Sequence, residues 1–143
     1  MAIHVENLEL VGSAVTDIHD VTDQVHRVVE ASGLQDGLVT VHAPGSTAAV
    51  TTIEYESGAL SDLQALLEEL APISGVYAHN ARWGDGNGYS HLRAALLGPS
   101  LSIPLSQGEL ELGTWQQIVV LDFDNRPRRR RVVVQVLGER PRP

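Results

Sequence analysis

The feature that most constrains the fold is the order of predicted helices and strands along the chain, given by the spacing of apolar residues. Apolar residues at helical spacing predict helices over 18–32 and 58–70, and a third, short helix is predicted over 91–97. β-rich or alternating runs predict strands over residues 3–11, 37–42, 47–55, 101–105, 109–112, 114–123 and 128–137. Because the strands cluster toward the C-terminal half and do not alternate with helices, we predict an α+β fold. We expect a mainly antiparallel, β-sandwich-like sheet covered by two or three helices.

Three local features refine this prediction. The alternation of the first strand slips near Asn7, which predicts a β-bulge there. Residues 73–90 are rich in Gly, Asn and Asp and are predicted to form an irregular loop. Residues 124–127 fit a hairpin turn between the last two strands.

Length and composition limit the chemistry. With 143 residues, a single domain spanning 1–143 is expected. The chain lacks Cys, which excludes disulfides, thiolate nucleophiles and cysteine-ligated metals, and it lacks Lys, which excludes Schiff-base chemistry and a P-loop lysine. No run of apolar residues is long enough to span a membrane, so we expect a cytoplasmic protein without a membrane partner.

The charges are unevenly placed. Residues 1–120 contain three Arg and fifteen acidic residues, a net charge of −12, whereas residues 121–143 contain seven Arg and three acidic residues, a net charge of +4. Alternation along a strand sends the side chains of Arg128 to Arg131 to opposite faces. We therefore expect these arginines to be solvated or paired with acidic residues of 1–120, in the same subunit or across a subunit interface, and we expect no nucleic-acid partner.

Two histidines lie at the ends of the glycine-rich segment. His79 and His91 bracket Asp85 and Asn87, and together these side chains offer nitrogen and oxygen ligands for a divalent metal. The same groups could act as a general acid and base. The alternative is a loop held together by structural hydrogen bonds.

A turn ahead of the third predicted strand is another candidate. In Gly45, Ser46 and Thr47, backbone N–H groups and hydroxyls are suited to bind a phosphate, although a plain β-turn has the same composition. Glu54 follows on the same strand and shares a face with apolar neighbours, so its carboxylate needs a partner or a function.

Several segments together resemble the YjbQ-like family, also called secondary thiamine-phosphate synthases. They are Gly45-Ser46-Thr47-Ala48 leading to Glu54, Asp85-Gly86-Asn87-Gly88 leading to His91-Leu92, Gly98-Pro99-Ser100, Ile103-Pro104, and Leu112-Gly113-Thr114-Trp115-Gln116-Gln117. The match runs from about residue 10 to residue 138. The resemblance implies a compact α+β fold, a homotrimer, and a polar histidine site that holds a divalent metal such as zinc or magnesium.

The implied activity joins a pyrimidine diphosphate to a thiazole phosphate with loss of pyrophosphate. We assign catalytic roles to His79, His91, Asp85 and Glu54, with His79 and His91 also as metal ligands. Ser46, Thr47, Asn87, Arg82 and Arg93 are assigned to binding of the small phosphorylated substrate. Gly45 stands where many family members have a histidine, so one metal ligand is missing. The alternative is a protein that binds metal or phosphate without catalysis.

Overall fold

A computed structural model describes residues 1–13 and 16–143, and this part of the chain forms eight strands and four helices. The elements are β1 (Ala2–Ser13), β2 (Asp17–Asp20), α1 (Thr22–Ser32), β3 (Asp36–His42), β4 (Ala48–Ile53), α2 (Ser57–Leu70), α3 (Ala78–Trp83), α4 (Gly88–Leu97), β5 (Ser100–Ser106), β6 (Glu109–Leu110), β7 (Gln117–Asp122) and β8 (Pro127–Glu139). The strands form two sheets, in the orders β1-β8-β3-β5-β6 and β2-β7-β4. All pairings are antiparallel, which confirms the predicted α+β class.

Strand β7 lies at the centre of the molecule because both of its faces are buried. Ile118 and Val120 point into a core shared by the two sheets and α1. Val119 and Leu121 point to the opposite side, where they pack with residues of α2 and α4. Side chains alternate across a strand, so an unbroken apolar run can serve two cores. The three-stranded sheet is thus a middle layer, with the five-stranded sheet on one face and helices on the other.

The helices begin and end at recognisable signals. Helix α2 matches its prediction to within one residue, and the Glu56 carboxylate caps it by accepting hydrogen bonds from the N–H groups of Gly58 and Ala59. Helix α1 ends at Gly33, whose φ of 68° is left-handed. None of the helices in 1–13 and 16–143 combines the length and the apolar character that crossing a membrane requires.

The predicted start of the first helix and the predicted β-bulge are wrong, because strand pairing overrides local spacing. Helix α1 begins at Thr22 rather than at residue 18, since Ile18 lies in β2 opposite Leu121. The bulge predicted near Asn7 is absent, because β1 pairs with β8 in one uninterrupted register from Ala2 to Ser13. Ile3 and Val5 therefore face outward and are exposed.

The segment 73–90 is more ordered than predicted. It contains the six-residue helix α3, and α4 begins at Gly88, three residues before the predicted start. The strand predicted over 114–123 is limited to β7, because residues 113–116 form a turn closed by the Gln116 N–H bond to the Gly113 carbonyl. These differences leave the predicted order of helices and strands largely intact.

Candidate functional site

The two bracketing histidines meet at the end of the three-stranded sheet where β4 begins. His79 is the second residue of α3, and His91 lies in the first turns of α4. Their ring centroids are 4.5 Å apart, and the ring planes are tilted by 51°. The structure thus brings together the two residues that the sequence places at opposite ends of a loop.

Asparagine and glycine residues hold α3 and α4 in this arrangement. The Asn80 side chain accepts a hydrogen bond of 2.9 Å from the Gly88 N–H, which ties α3 to the start of α4. A Cβ at residue 88 would lie 2.8 Å from the Tyr77 Cβ, so only glycine fits there. Gly84 ends α3 with a left-handed φ of 71°. These local contacts help to bring the two rings together.

The nitrogen atoms of the two histidines have different surroundings. His91 Nδ1 lies 3.1 Å from the Ser46 carbonyl oxygen, so a proton on Nδ1 would be donated to Ser46 and leave Nε2 as an acceptor. His79 Nδ1 is buried and 3.4 Å from Asp85 Oδ1, and no group of the described residues hydrogen-bonds to it. One histidine is thus fixed by backbone, and the other has a buried nitrogen without a hydrogen-bond partner.

A buried ion pair lies behind the Gly45–Thr47 turn. Arg130 Nε and Nη2 donate hydrogen bonds of 3.0 and 2.8 Å to the two oxygens of Asp122. Arg130 Nη2 also donates to Thr47 Oγ1. Gly12 makes room for the pair, because a Cβ at that position would collide with Asp122 Oδ2. Thr47 is therefore buried and has a structural partner, whereas Ser46 is exposed.

A second buried carboxylate connects this pair to the histidine loop. Asp124 accepts hydrogen bonds from the Asn125 N–H and Thr47 Oγ1, and Arg128 Nη1 lies 3.0 Å from its Oδ2. Burial acts to raise the pKa of Asp124, but the Asn125 hydrogen bond and the Arg128 charge hold that pKa below its ordinary value. Asp124 therefore stays ionised at neutral pH.

Asn87 lies between two carboxylates. In one orientation its amide nitrogen donates to Asp124 Oδ1 at 3.5 Å, and in the reversed orientation it donates to the Asp85 oxygens at 3.1 and 3.2 Å. Asn125 Nδ2 also donates to the Asp85 carbonyl at 2.8 Å. The asparagines thus hold the Asp85 loop against the turn that follows β7.

Three of the predicted site residues lie apart from this cluster. Arg93 is buried and binds Glu68, the Ala71 carbonyl and Thr16, so it joins α4 to α2. The Arg82 guanidinium lies over the ring of its neighbour Trp83, 5.4 Å from the ring centroid. Glu54 follows the far end of β4 and is exposed.

Sequence reasoning missed Arg130, Asp122 and Asp124. The expectation that Arg130 is solvated or paired with acidic residues of the preceding 120 is wrong, because its side chain is buried against Asp122. A signal was available, since Arg130 shares a strand face with the core residues Val132 and Val134. A basic residue in phase with a core face requires a buried acidic partner.

The residues present do not by themselves fit a resident metal ion. His79 and His91 offer two nitrogen donors, but no group of three His, Asp or Glu in the described ranges could hold a metal. A catalytic zinc takes three protein ligands. Gly45, which stands in the place of the expected third ligand, has no side chain to offer.

Two clefts flank β4, one at each end. Beside the histidines is a cavity of about 210 Å³, lined by Gly45, Ser46, Ala48, His91, Ala94, Ala95 and Pro99. At the far end is a cleft of about 420 Å³, lined by Asp20, Glu54, Tyr55, Glu56, Thr114, Trp115 and Gln117. The Leu-Gly-Thr-Trp-Gln segment therefore belongs to the far cleft and not to the histidine site.

Fold and site together define a small α+β domain with a paired-histidine surface site above a buried arginine–aspartate pair. The chain belongs to the YjbQ family, since the model of the "UPF0047 protein YjbQ-like" family matches residues 6–139. A UPF0047 protein of Methanothermobacter thermautotrophicus is 40% identical over 139 residues, which are 97% of this chain and 95% of that protein. One of Archaeoglobus fulgidus is 46% identical over 85% of this chain and 91% of its own length.

Solved structures give the same result. A YbjQ-like protein of unknown function from Sulfolobus solfataricus superposes with a TM-score of 0.86 at 32% identity, covering 96% of this chain and 100% of its own. An uncharacterised protein of the YjbQ/UPF0047 family from Clostridium acetobutylicum has a TM-score of 0.85 at 34% identity, covering 92% and 99%. The fold described above is therefore the fold of this family.

Proposed function

We propose that the chain is a transferase of the thiamine-phosphate synthase kind that acts on small phosphorylated substrates at the histidine site. The observation that carries the proposal is the contact between His79 and His91 directly beside the exposed Gly45–Ser46 turn. Paired imidazoles supply proton donors and acceptors, and a glycine turn supplies backbone N–H groups for phosphate oxygens. Groups for proton transfer and groups for phosphate binding thus lie side by side.

The reaction determines what each group would do. A C–N bond forms between the thiazole ring nitrogen and the pyrimidine methylene carbon, while the C–O bond to pyrophosphate breaks and pyrophosphate leaves with the electron pair. Because the thiazole nitrogen loses no proton, the imidazoles act on the leaving group, as hydrogen-bond donors or as a general acid. Ser46 and the backbone at Gly45 bind phosphate oxygens, and Asp85 and Asn87 position the loop.

The test is an assay with both thiamine precursors and magnesium as the counter-ion of the diphosphate. We expect turnover in the native chain and its loss in a double variant, His79→Ala with His91→Ala. The control is His4→Ala, because His4 lies in β1 and pairs with Glu6. Unchanged turnover in the double variant would reject the assignment.

A second candidate function is capture of a phosphorylated molecule without catalysis. It is favoured by the incomplete set of metal ligands in the described residues, because a metal held by the protein would otherwise help to stabilise the departing pyrophosphate. Calorimetric titration with zinc, magnesium, phosphate and thiamine phosphate separates the two candidates. Tight binding of thiamine phosphate without turnover of the precursors supports the second candidate only.

We also propose that the chain assembles as a homotrimer, as the family resemblance implies. In support, Ile3, Val5 and Leu38 are exposed on the outer face of the five-stranded sheet, opposite the core shared with α1. Light scattering at micromolar concentration should give three times the subunit mass of 15.4 kDa. A mass near that of one subunit would exclude the trimer. A trimer unchanged by Arg129→Glu with Arg131→Glu would remove these two arginines from the contact.

A further inference from the structure

The buried Arg130 has hydrogen-bond donors that its ion pair does not use. A guanidinium carries five N–H groups, one on Nε and two on each terminal nitrogen. Asp122 and Thr47 take hydrogen bonds from Nε and Nη2. Among residues 1–13 and 16–143, no hydrogen bond is found for Nη1. Only 7% of the Arg130 side chain is exposed.

Gly45 lies directly in front of this nitrogen. A Cβ built at residue 45 would come within 3.3 Å of Arg130 Nη1, so a side chain there would cover it. The backbone at Gly45 has a φ of 128°, a conformation that L-residues rarely adopt. Gly45 and Ser46 are exposed and line the cavity beside His91, so Gly45 neighbours both Nη1 and this cavity.

We propose that Arg130 is the cationic group of this site and presents Nη1 through the gap at Gly45 to an oxygen of a phosphoryl ligand. Asp122 fixes the opposite edge of the guanidinium and so orients the free edge toward the turn. Arginine suits this task because its planar fork keeps its direction while one edge is already bound. The inference rests on the proposed function and names the residue that would make the site select a phosphorylated molecule.

The first experiment is titration of inorganic phosphate and pyrophosphate into the native chain and into Arg130→Lys, followed by calorimetry. Lysine keeps the positive charge, but its single nitrogen replaces the separate arginine nitrogens that would bind Asp122 and the phosphate. We expect binding about ten- to hundredfold weaker, the fold-change that loss of one charge-assisted hydrogen bond gives. The matched control is Arg129→Lys, because Arg129 is the adjacent residue on the same strand and its side chain is exposed on the other face.

A second measurement needs no variant at Arg130. In the native chain, the side-chain ¹⁵N–¹H resonances of Arg130 should shift on addition of phosphate, whereas those of Arg129 should not. Phosphate binding that leaves the Arg130 resonances unmoved, or that is equally tight in Arg130→Lys, would overturn the inference while leaving the proposed function in place. If the native chain binds neither anion, both the role of Arg130 and the proposed function are overturned. If it binds the anions but shows no turnover of the precursors, only the transferase activity is rejected.

Discussion

The two ends of strand β4 have opposite characters. At its start, Thr47 is buried with Asp122 and Asp124 between two arginines. At its end, Glu54 is exposed in a cleft beside Trp115, and no ion pair is found for its carboxylate among the described residues. With about 3.3 Å per residue, Thr47 and Glu54 are roughly 20 Å apart.

The difference shows that a polar residue has to be judged by what surrounds it and not by its place in a strand. Buried charges are expensive to remove from water, so the polar groups at the start of β4 must pair with one another. Their pairing fixes the Gly45–Thr47 turn in front of the histidines. At the far end, the Glu54 carboxylate is exposed and imposes no such order. The comparison can be tested by altering each end separately.

The largest effect is expected from breaking the buried pair. Asp122→Ala leaves the Arg130 charge buried without its partner, and we expect the free energy of unfolding to fall by about 3–5 kcal/mol. Denaturant titration measures the change. The control is Glu9→Ala, which removes an exposed contact of 3.8 Å to Arg129 and should change stability by less than about 0.5 kcal/mol. Equal effects of the two substitutions would contradict the distinction between buried and exposed pairs.

A smaller effect is expected on the acid dependence of the unfolding free energy, to which Asp124 contributes. The folded-state pKa of this carboxyl is lowered from its ordinary value of 3.8, so the unfolded chain binds the proton more tightly. The stabilisation is fully present above pH 3.8 and is lost as the pH falls through the lowered pKa. Asp124→Asn should therefore flatten the dependence of stability on pH below about 4. An unchanged slope in this variant would show that Asp124 is not the responsible group.

The smallest effect is expected at the other end of β4. Glu54→Gln removes a hydrated charge, and its unfolding free energy should stay within about 0.5 kcal/mol of the native value. Phosphate affinity should also be unchanged, because Glu54 lies at the far end of the strand. Weaker phosphate binding in this variant would mean that the far cleft contributes to the same site.

Much of the fold could be predicted because local spacing and tertiary packing agree. Helix α2 packs Leu63 and Leu67 against one core, and its predicted bounds are right to within one residue. Ile18 fits a helix by spacing, but a strand opposite Leu121 buries it better. Ile3 and Val5 alternate with other residues as core-facing residues of a strand do, but both are exposed. Local patterns thus failed where pairing with a distant strand decided the outcome.

The site was predictable in part for the same reason. His79 and His91 are close in sequence, and the glycines between them permit the turns that bring the rings into contact. Arg130 is distant in sequence from Thr47, and only the register of β8 places it beneath the turn. Thr47 and Glu54 lie just outside opposite ends of β4, so the length of the strand separates them. Proximity in sequence was therefore a poor guide along an extended strand.

We expect phosphoryl groups to bind at the start of β4 and not at its end. The most direct measurement is the ¹H–¹⁵N spectrum of the native chain with and without pyrophosphate. We expect the amide resonances of Gly45 and Ser46 to shift, together with that of His91, while the indole N–H of Trp115 and the amide of Gly113 stay in place. Shifts at Trp115 and Gly113 with none at Gly45 and Ser46 would contradict the claim.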